Sequence, residues 1–208
     1  MRTVIVDANN LFISNFLVNG SLTENGQPCG GINGFLKQLI SIISLLKPFK
    51  TIVVWDGSGG AINKRSVFKE YKAGRKPIIG SHYSFGQEDD AKKNLQWQMK
   101  IAQDIIELLP ICQLNISNCE ADDVISYIAL NKDFYKMDSC IISSTDKDFF
   151  QLAAPKVGIY NAITKKLITE QSILAENNIH PRNWLFAKTL CGDKSDNING
   201  IPRMGFKT

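Results

Sequence analysis

The sequence predicts an α/β fold built on a central, mostly parallel sheet. Short runs of β-branched and apolar residues at 3–6 and 51–55 flank a segment of helical length at 33–46. A strand, a helix and a second buried strand in that order imply a right-handed parallel crossover. The alternation then repeats, with strands expected at 111–116 and, around Cys140, Ile141 and Ile142, at 139–144, on either side of a helical segment at 120–130.

In chain order, residues 3–6 have the apolar, β-branched character of a central parallel strand and stop at Asp7. Ala8-Asn9-Asn10 and an apolar segment through Phe16 follow, then a loop over 20–31 rich in Gly, Asn and Pro. Phe35, Leu36, Leu39, Ile40, Ile43 and Leu46 give residues 33–46 a broad apolar helical face, which Pro48 ends. The strand at 51–55 stops at Asp56-Gly57. Residues 58–90 carry little core pattern and one basic stretch, Lys64, Arg65, Lys69, Lys72, Arg75 and Lys76. A loop of that length inside a compact domain is functional or mobile. Beyond it the sequence predicts a long helix over 91–109 closed by Pro110, a further short strand at 157–160 and a helix over 181–190.

With 208 residues and 44% hydrophobic content, the chain suffices for one well-buried domain. A net charge of +4 permits a polyanionic partner without demanding one. The five cysteines are scattered with no CxxC pair, and read as reduced structural thiols of a cytoplasmic protein instead of a zinc site or disulfide frame. The start is too short and too soon acidic for a signal peptide. The longest apolar run, 39–46, contains serines and ends at Lys47-Pro48, so no membrane span is expected. A monomer is the default expectation.

In open α/β sheets, sites form beyond the carboxyl ends of the strands. Asp7, Asp56 and the pair Asp146 and Asp148 directly follow buried strands, and Cys119-Glu120-Ala121-Asp122-Asp123 sets three carboxylates at a helix start. Glu120 and Asp123 are three apart and share a helix face. Any one of these acids would serve equally to turn the chain or cap a helix. Together they are harder to explain that way. Two unit charges ~4 Å apart repel by roughly 4 kcal/mol at an effective dielectric of ~20, so a crevice of carboxylates needs cations or raised pKa values. Oxygen ligands without His or Cys favour Mg2+ or Mn2+ over zinc. Such a cluster holds two ions that activate a water and stabilise the leaving oxygen of a phosphodiester.

Asp7, Trp55-Asp56-Gly57, Glu120-Ala121-Asp122-Asp123, Ser144-Thr145-Asp146-Lys147-Asp148 and Gly192-Asp193-Lys194-Ser195-Asp196-Asn197-Ile198 occur in that order over nearly the whole chain. This set resembles the flap endonuclease/5′→3′ exonuclease family of the PIN-like superfamily, in its bacterial and phage-type members. The resemblance implies a PIN-like sheet with helices on both faces and an arch inserted over the site. Residues 1–190 would be the nuclease domain, with 58–90 as the arch and basic insertion, and 191–208 the start of a helix–three-turn–helix element. Asp7, Asp56, Glu120, Asp122 and Asp146 would form the inner metal site, with Asp123 in it or behind it, and Asp148, Asp193 and Asp196 a second, weaker one. Asp122, Asp146, Lys72 and Arg75 would carry catalysis.

The resemblance also assigns the basic stretch. Lys72 and Arg75 would approach the scissile phosphate, Tyr71 would stack on an unpaired base, and Arg65 would contact phosphate. Gly200, Gly205 and Lys207 would receive duplex phosphate in the glycine-rich turn, with K+ as a helper there. Substrates would be DNA with 5′ ends, flaps or RNA–DNA junctions, in primer or flap removal in a bacterial or phage-infected cell. Asn199 stands where many relatives have Pro, and Pro202-Arg203-Met204 replaces a more glycine-rich turn. The sequence stops inside that element, as a piece of a longer protein or a short natural chain would. Two alternatives share the fold: a PIN-type ribonuclease, and a non-catalytic, structure-selective DNA-binding module. Ser143, Ser144 and Ser195 lack a His partner for a nucleophilic triad, and Gly57 to Gly60 lacks the Lys-Ser/Thr ending of a P-loop.

Overall fold

In the computed structural model, which describes residues 1–84 and 86–206, β1 (Arg2–Asp7), β2 (Lys50–Trp55), β3 (Cys112–Asn115), β4 (Ser139–Ser143), β5 (Val157–Asn161) and β6 (Lys166–Ile168) form one sheet. Its order is β3-β2-β1-β4-β5-β6, parallel except for the antiparallel pair β5–β6. The order reverses between β1 and β4, and in doubly wound sheets the crevice at such a reversal is where ligands sit. Register makes that crevice acidic. Val6 pairs with Ser143 and Asp7 with Val54, so the chain leaves β1, β2 and β4 at one edge, carrying Asp7, Asp56 and Ser144 to Asp146 there.

Strand periodicity divides the core into two layers. Val4, Val6, Val53 and Trp55 pack with α1 (Ala8–Val18), α2 (Gly30–Leu46) and, through Ala102 and Ile106, α4 (Glu88–Glu107). Ile5, Ile52, Val54, Cys140 and Ile142 face α5 (Ala121–Leu130) together with Phe149, Ile173 and Trp184. Val4, Ile5 and Val6 are all fully buried, which explains why β1 reads as a continuous apolar run with no alternation.

The described residues of 58–90 include helix that their composition does not predict. A short helix α3 (Ile62–Val67) forms there, and α4 begins at Glu88, where Glu88, Asp89 and Asp90 complement the positive end of the helix dipole. Lys72 and Arg75 face the crevice, whereas Ile78 and Tyr83 pack on the α1/α2/α4 layer and Gly80 abuts Phe16. The expected arch therefore lies partly along α1.

Two further elements have no pattern in the sequence: β6, and α6 (Glu170–Asn177), which buries one residue, Ile173, behind a capping box of Thr169 and Ser172. The predicted helix at 181–190 is a 3-10 turn followed by α7 (Trp184–Cys191). The small hairpin β7 (Gly192–Asp193) and β8 (Ile198–Asn199) comes next. Trp184 then lies between Phe150 and Phe206, tilted against both rings at centroid distances of 5.0 and 5.2 Å.

Candidate functional site

Asp7 and Glu120 are the buried acids of the crevice. Asp7 caps α1 through Oδ1, which accepts from the Asn10 amide at 3.1 Å, and its Oδ2 accepts from Ser144 Oγ at 2.9 Å. Burial pushes its pKa up to about 7, and the charges of Asp56 and Asp146 push the same way, against those two hydrogen bonds. Asn10 Oδ1 also accepts from the amide and hydroxyl of Thr145, at 3.0 and 2.9 Å, so the exits of β1 and β4 are tied together. Asp146 caps the 3-10 turn that follows, accepting from the Asp148 amide at 2.8 Å.

Asp56 joins the exit of β2 to the start of α5. Its Oδ1 accepts from the Ala121 amide at 2.7 Å, and its own amide donates to Asn9 Oδ1 at 3.0 Å. Gly57 donates to the Cys119 carbonyl at 2.9 Å, and a side chain there would overlap the carbonyl of Ile116. The glycine thus lets β2 pass close enough to residues 116–119 to set Asp56 beside Glu120.

These acids line two adjoining cavities. One, of about 390 Å3, holds Asp7, Asp56, Glu120, Asp122 and Asp146. The other, of about 730 Å3, holds Asp122 and Asp146 again, with Asp148, Asp193 and Asp196. Lys72 and Arg75 line both.

Glu120, Asp122 and Asp123 each bring one carboxylate oxygen within 4.8 Å of the others. Lys64 Nζ contacts all three, at 2.5, 3.2 and 3.1 Å. Asp123, half-exposed, belongs to neither cavity; with Lys64 it lines an apolar groove beside Val67, Phe68 and Ile198. Burial raises Glu120, but the Lys64 and Lys72 ammonium groups outweigh it and hold its pKa at about 2. In the larger cavity burial raises Asp193 too, and Lys188 with Ser195 outweighs it, again to about 2.

Tyr71, expected to stack on an unpaired base, is placed against Glu120. Its side chain is buried, its hydroxyl donates to Glu120 Oε2 at 3.0 Å, and the ammonium groups of Lys72 and Lys64 lie 4.9 and 5.7 Å from its ring centroid. A ring held like that orients Glu120, and it also lines the groove beside Val67 and Phe68. Arg65 is exposed, and its Nε donates to the Tyr71 carbonyl at 3.4 Å. Arg75 donates to Asp196 Oδ1 at 2.8 Å, and the Lys72 amide to the Asp196 carbonyl at 3.1 Å, which docks the basic segment on the β7–β8 hairpin. Gly200 lies against the backbone of Cys191 and Gly192. Gly205 lies in the terminal segment beside Phe206. Lys207 lies outside the described residues.

Sequence reasoning missed Lys64 and Lys188 as parts of the site. Lys64 stands in the basic stretch, but nothing there separates it from its solvated neighbours. Lys188 is a lone helical lysine whose ammonium bridges Asp148 and Asp193, and no local pattern announces that.

The donor set suits a hard divalent cation: all carboxylate oxygens, with neither His nor Cys lining either cavity. Among the described residues, Asp7, Asp56 and Asp146 have no basic ion-pair partner. A cation would relieve the desolvation and mutual repulsion that raise Asp7.

The profile of a family described as 5'-3' exonuclease, N-terminal resolvase-like domain, matches residues 2–179. The chain is 30% identical over 208 residues to a 5'-3' exonuclease of Buchnera aphidicola subsp. Acyrthosiphon pisum, covering 99% of this chain and 67% of that protein. It is also 30% identical over 210 residues to a 5'-3' exonuclease of Aquifex aeolicus, covering 100% and 68%. In fold it is similar to the T5 D15 protein co-crystallised with metal ions, with a TM-score of 0.81 at 21% identity over 100% of this chain and 72% of that one.

Proposed function

Because this chain belongs to the 5'-3' exonuclease family that carries the N-terminal resolvase-like domain, we propose that it is a divalent-metal-dependent 5′ nuclease that hydrolyses DNA phosphodiesters at 5′ ends and flaps. The observation that carries this reading is the pair of acid-lined cavities meeting at Lys72, Arg75, Asp122 and Asp146. A phosphate lodged there lies between two cationic side chains and both carboxylate sets. Mg2+, or Mn2+ in its place, fits the all-oxygen donors.

Asp7, Asp56, Glu120, Asp122 and Asp146 would hold one cation, and Asp148, Asp193 and Asp196 would hold a second with help from the shared acids. Bound there, the ions supply an activated water and stabilise the leaving oxygen. The protein's own work is to place the phosphate and offset its charge. Lys72 and Arg75 face it from the basic segment, and Tyr71, Lys64 and Ser144 hold the acids in position. Water added to phosphorus with loss of the 3′ oxygen would leave a 3′-hydroxyl and a 5′-phosphate. Arg65, Gly200, Gly205 and Lys207 are proposed to contact backbone phosphate beyond the cut. Residues 191–208 would open a helix–three-turn–helix grip on the duplex, where K+ would assist. Removal of primers or flaps in DNA replication is the process this activity suits.

Cleavage of an end-labelled 5′ flap, a blunt duplex and a single strand, each in Mg2+, Mn2+ and EDTA, tests the reading. Metal-dependent cuts near the flap junction, absent from Asp146→Asn and Asp122→Asn, are expected. Variants that cleave as well as the parent in Mg2+ would sink it, as would a preference for RNA of the same shape over DNA.

A further inference from the structure

In the larger cavity Asp148, Asp193 and Asp196 are each paired with a basic side chain, whereas Glu176 on its wall and Asp7, Asp56 and Asp146 have no such partner among the described residues. Lys188 Nζ donates to Asp193 Oδ2 at 2.6 Å and bonds Asp148 Oδ1 as well, and Arg75 takes Asp196. The other oxygen of Asp193 is already filled, accepting from the amide and hydroxyl of Ser195 at 2.8 and 2.6 Å. Lys188 therefore covers one oxygen on the 3-10 turn, Asp148 Oδ1, and one on β7, Asp193 Oδ2. The lysine side chain is only 20% exposed and lines the cavity itself. It sits inside the carboxylate set, not behind it as Lys64 does.

We propose that Lys188 is a built-in counter-ion that competes with a divalent cation for Asp148 and Asp193, and so sets the affinity of this second carboxylate set below that of the first. The inference rests on the metal-dependent reading above and adds a residue that tunes it. A cation that takes both oxygens must evict the ammonium, which the flexible four-carbon stem permits. In the first set Lys64 and Lys72 hold Glu120 and Lys64 reaches Asp122, but a cation there still finds Asp7, Asp56 and Asp146 without a basic partner among the described residues. A merely structural Lys188, tying α7 to the 3-10 turn, makes the opposite prediction. Removing it would let the two acids drift apart and weaken cation binding.

Mn2+ titration of the full chain without DNA, followed by calorimetry and by the EPR signal of free Mn2+, separates the two. The parent is expected to show a tighter and a weaker class of site. Lys188→Met and Lys188→Gln should tighten the weaker class by about tenfold or more, since the set gains a full unit of negative charge at contact range. The tighter class should change far less. Lys188→Arg keeps the charge and should bind as the parent does. A weaker class unchanged or loosened in both neutral variants would overturn the inference while leaving the metal reading intact. Absence of Mn2+ binding in the parent and all variants would overturn both. A measurement on the parent alone covers variants that fail to fold. Mg2+ should raise acetylation of the Lys188 amine at least about threefold over EDTA as the side chain is released; an unchanged rate overturns the proposal.

Discussion

Lys72 and Glu120, 48 residues apart in the chain, form an ion pair that fastens the basic segment to the acidic start of α5. The pair places a phosphate-seeking ammonium, which lines both cavities, against a proposed metal ligand of the smaller one. Lys72→Ala should therefore lower single-turnover cleavage of a 5′ flap by about 10²-fold or more, the usual scale for removing one group that offsets transition-state charge. Far-UV circular dichroism should not change. Cleavage within twofold of the parent would remove Lys72 from the catalytic set.

Lys64 neutralises Glu120, Asp122 and Asp123 from the groove side. Lys64→Met should cost roughly 1–3 kcal/mol of stability in EDTA, a figure kept low because the side chain is partly solvated. Saturating Mg2+ should recover part of that loss by restoring positive charge beside the same acids. Urea unfolding with and without Mg2+ reads both effects, and an unchanged midpoint in EDTA would contradict the role given to Lys64.

Asp7, with its pKa raised to about 7, makes the metal-free protein pH-sensitive. An exposed aspartate titrates near 4. Between those values the folded chain keeps a proton that the unfolded chain releases, so stability falls as pH rises, by about 1.4 kcal/mol per unit. Burial raises Asp122 and Asp148 as well and tilts the curve the same way. Glu120 and Asp193, held at about 2, contribute stability that is lost only in acid, below the unfolded pKa of about 4. Asp7→Asn should flatten the slope between about pH 5 and 7 and raise stability at pH 8 in EDTA, while abolishing cleavage. Urea midpoints across that range decide it, and an unchanged slope in the variant would refute the assignment.

Gly57 holds β2 against residues 116–119 with no room for a side chain. Gly57→Ala must displace backbone, which should cost about 2–4 kcal/mol. The same displacement should loosen the bond from the Ala121 amide to Asp56 and weaken divalent-ion binding. A thermal melt and a Mn2+ titration test the two effects together, and a variant as stable as the parent would show that the loop yields freely.

Much of this architecture was legible in the chain itself. The strands at 3–6 and 51–55 announced themselves because a parallel strand buried on both faces is apolar or β-branched almost throughout, and the strand at 139–144 through its centre, Cys140-Ile141-Ile142. The acids that end them stood out because the chain leaves such a strand at the site edge of the sheet. Elements that bury little were not legible: α3 buries nothing and α6 buries only Ile173, so neither leaves a hydrophobic period.

The sequence by itself determined the α/β class, the parallel strands and the acidic residues at their ends. Tertiary structure alone decided how those charges are paired. Lys64 reaches across 58 residues to Asp122, Lys188 across 40 to Asp148, and Arg75 across 121 to Asp196. It also decided that Tyr71 turns inward to Glu120. Periodicity is a local property, fixed by the 2.0- and 3.6-residue repeats of strand and helix. Ion pairing depends on strand order and register, which bring distant segments together and leave no mark on the residues near either partner.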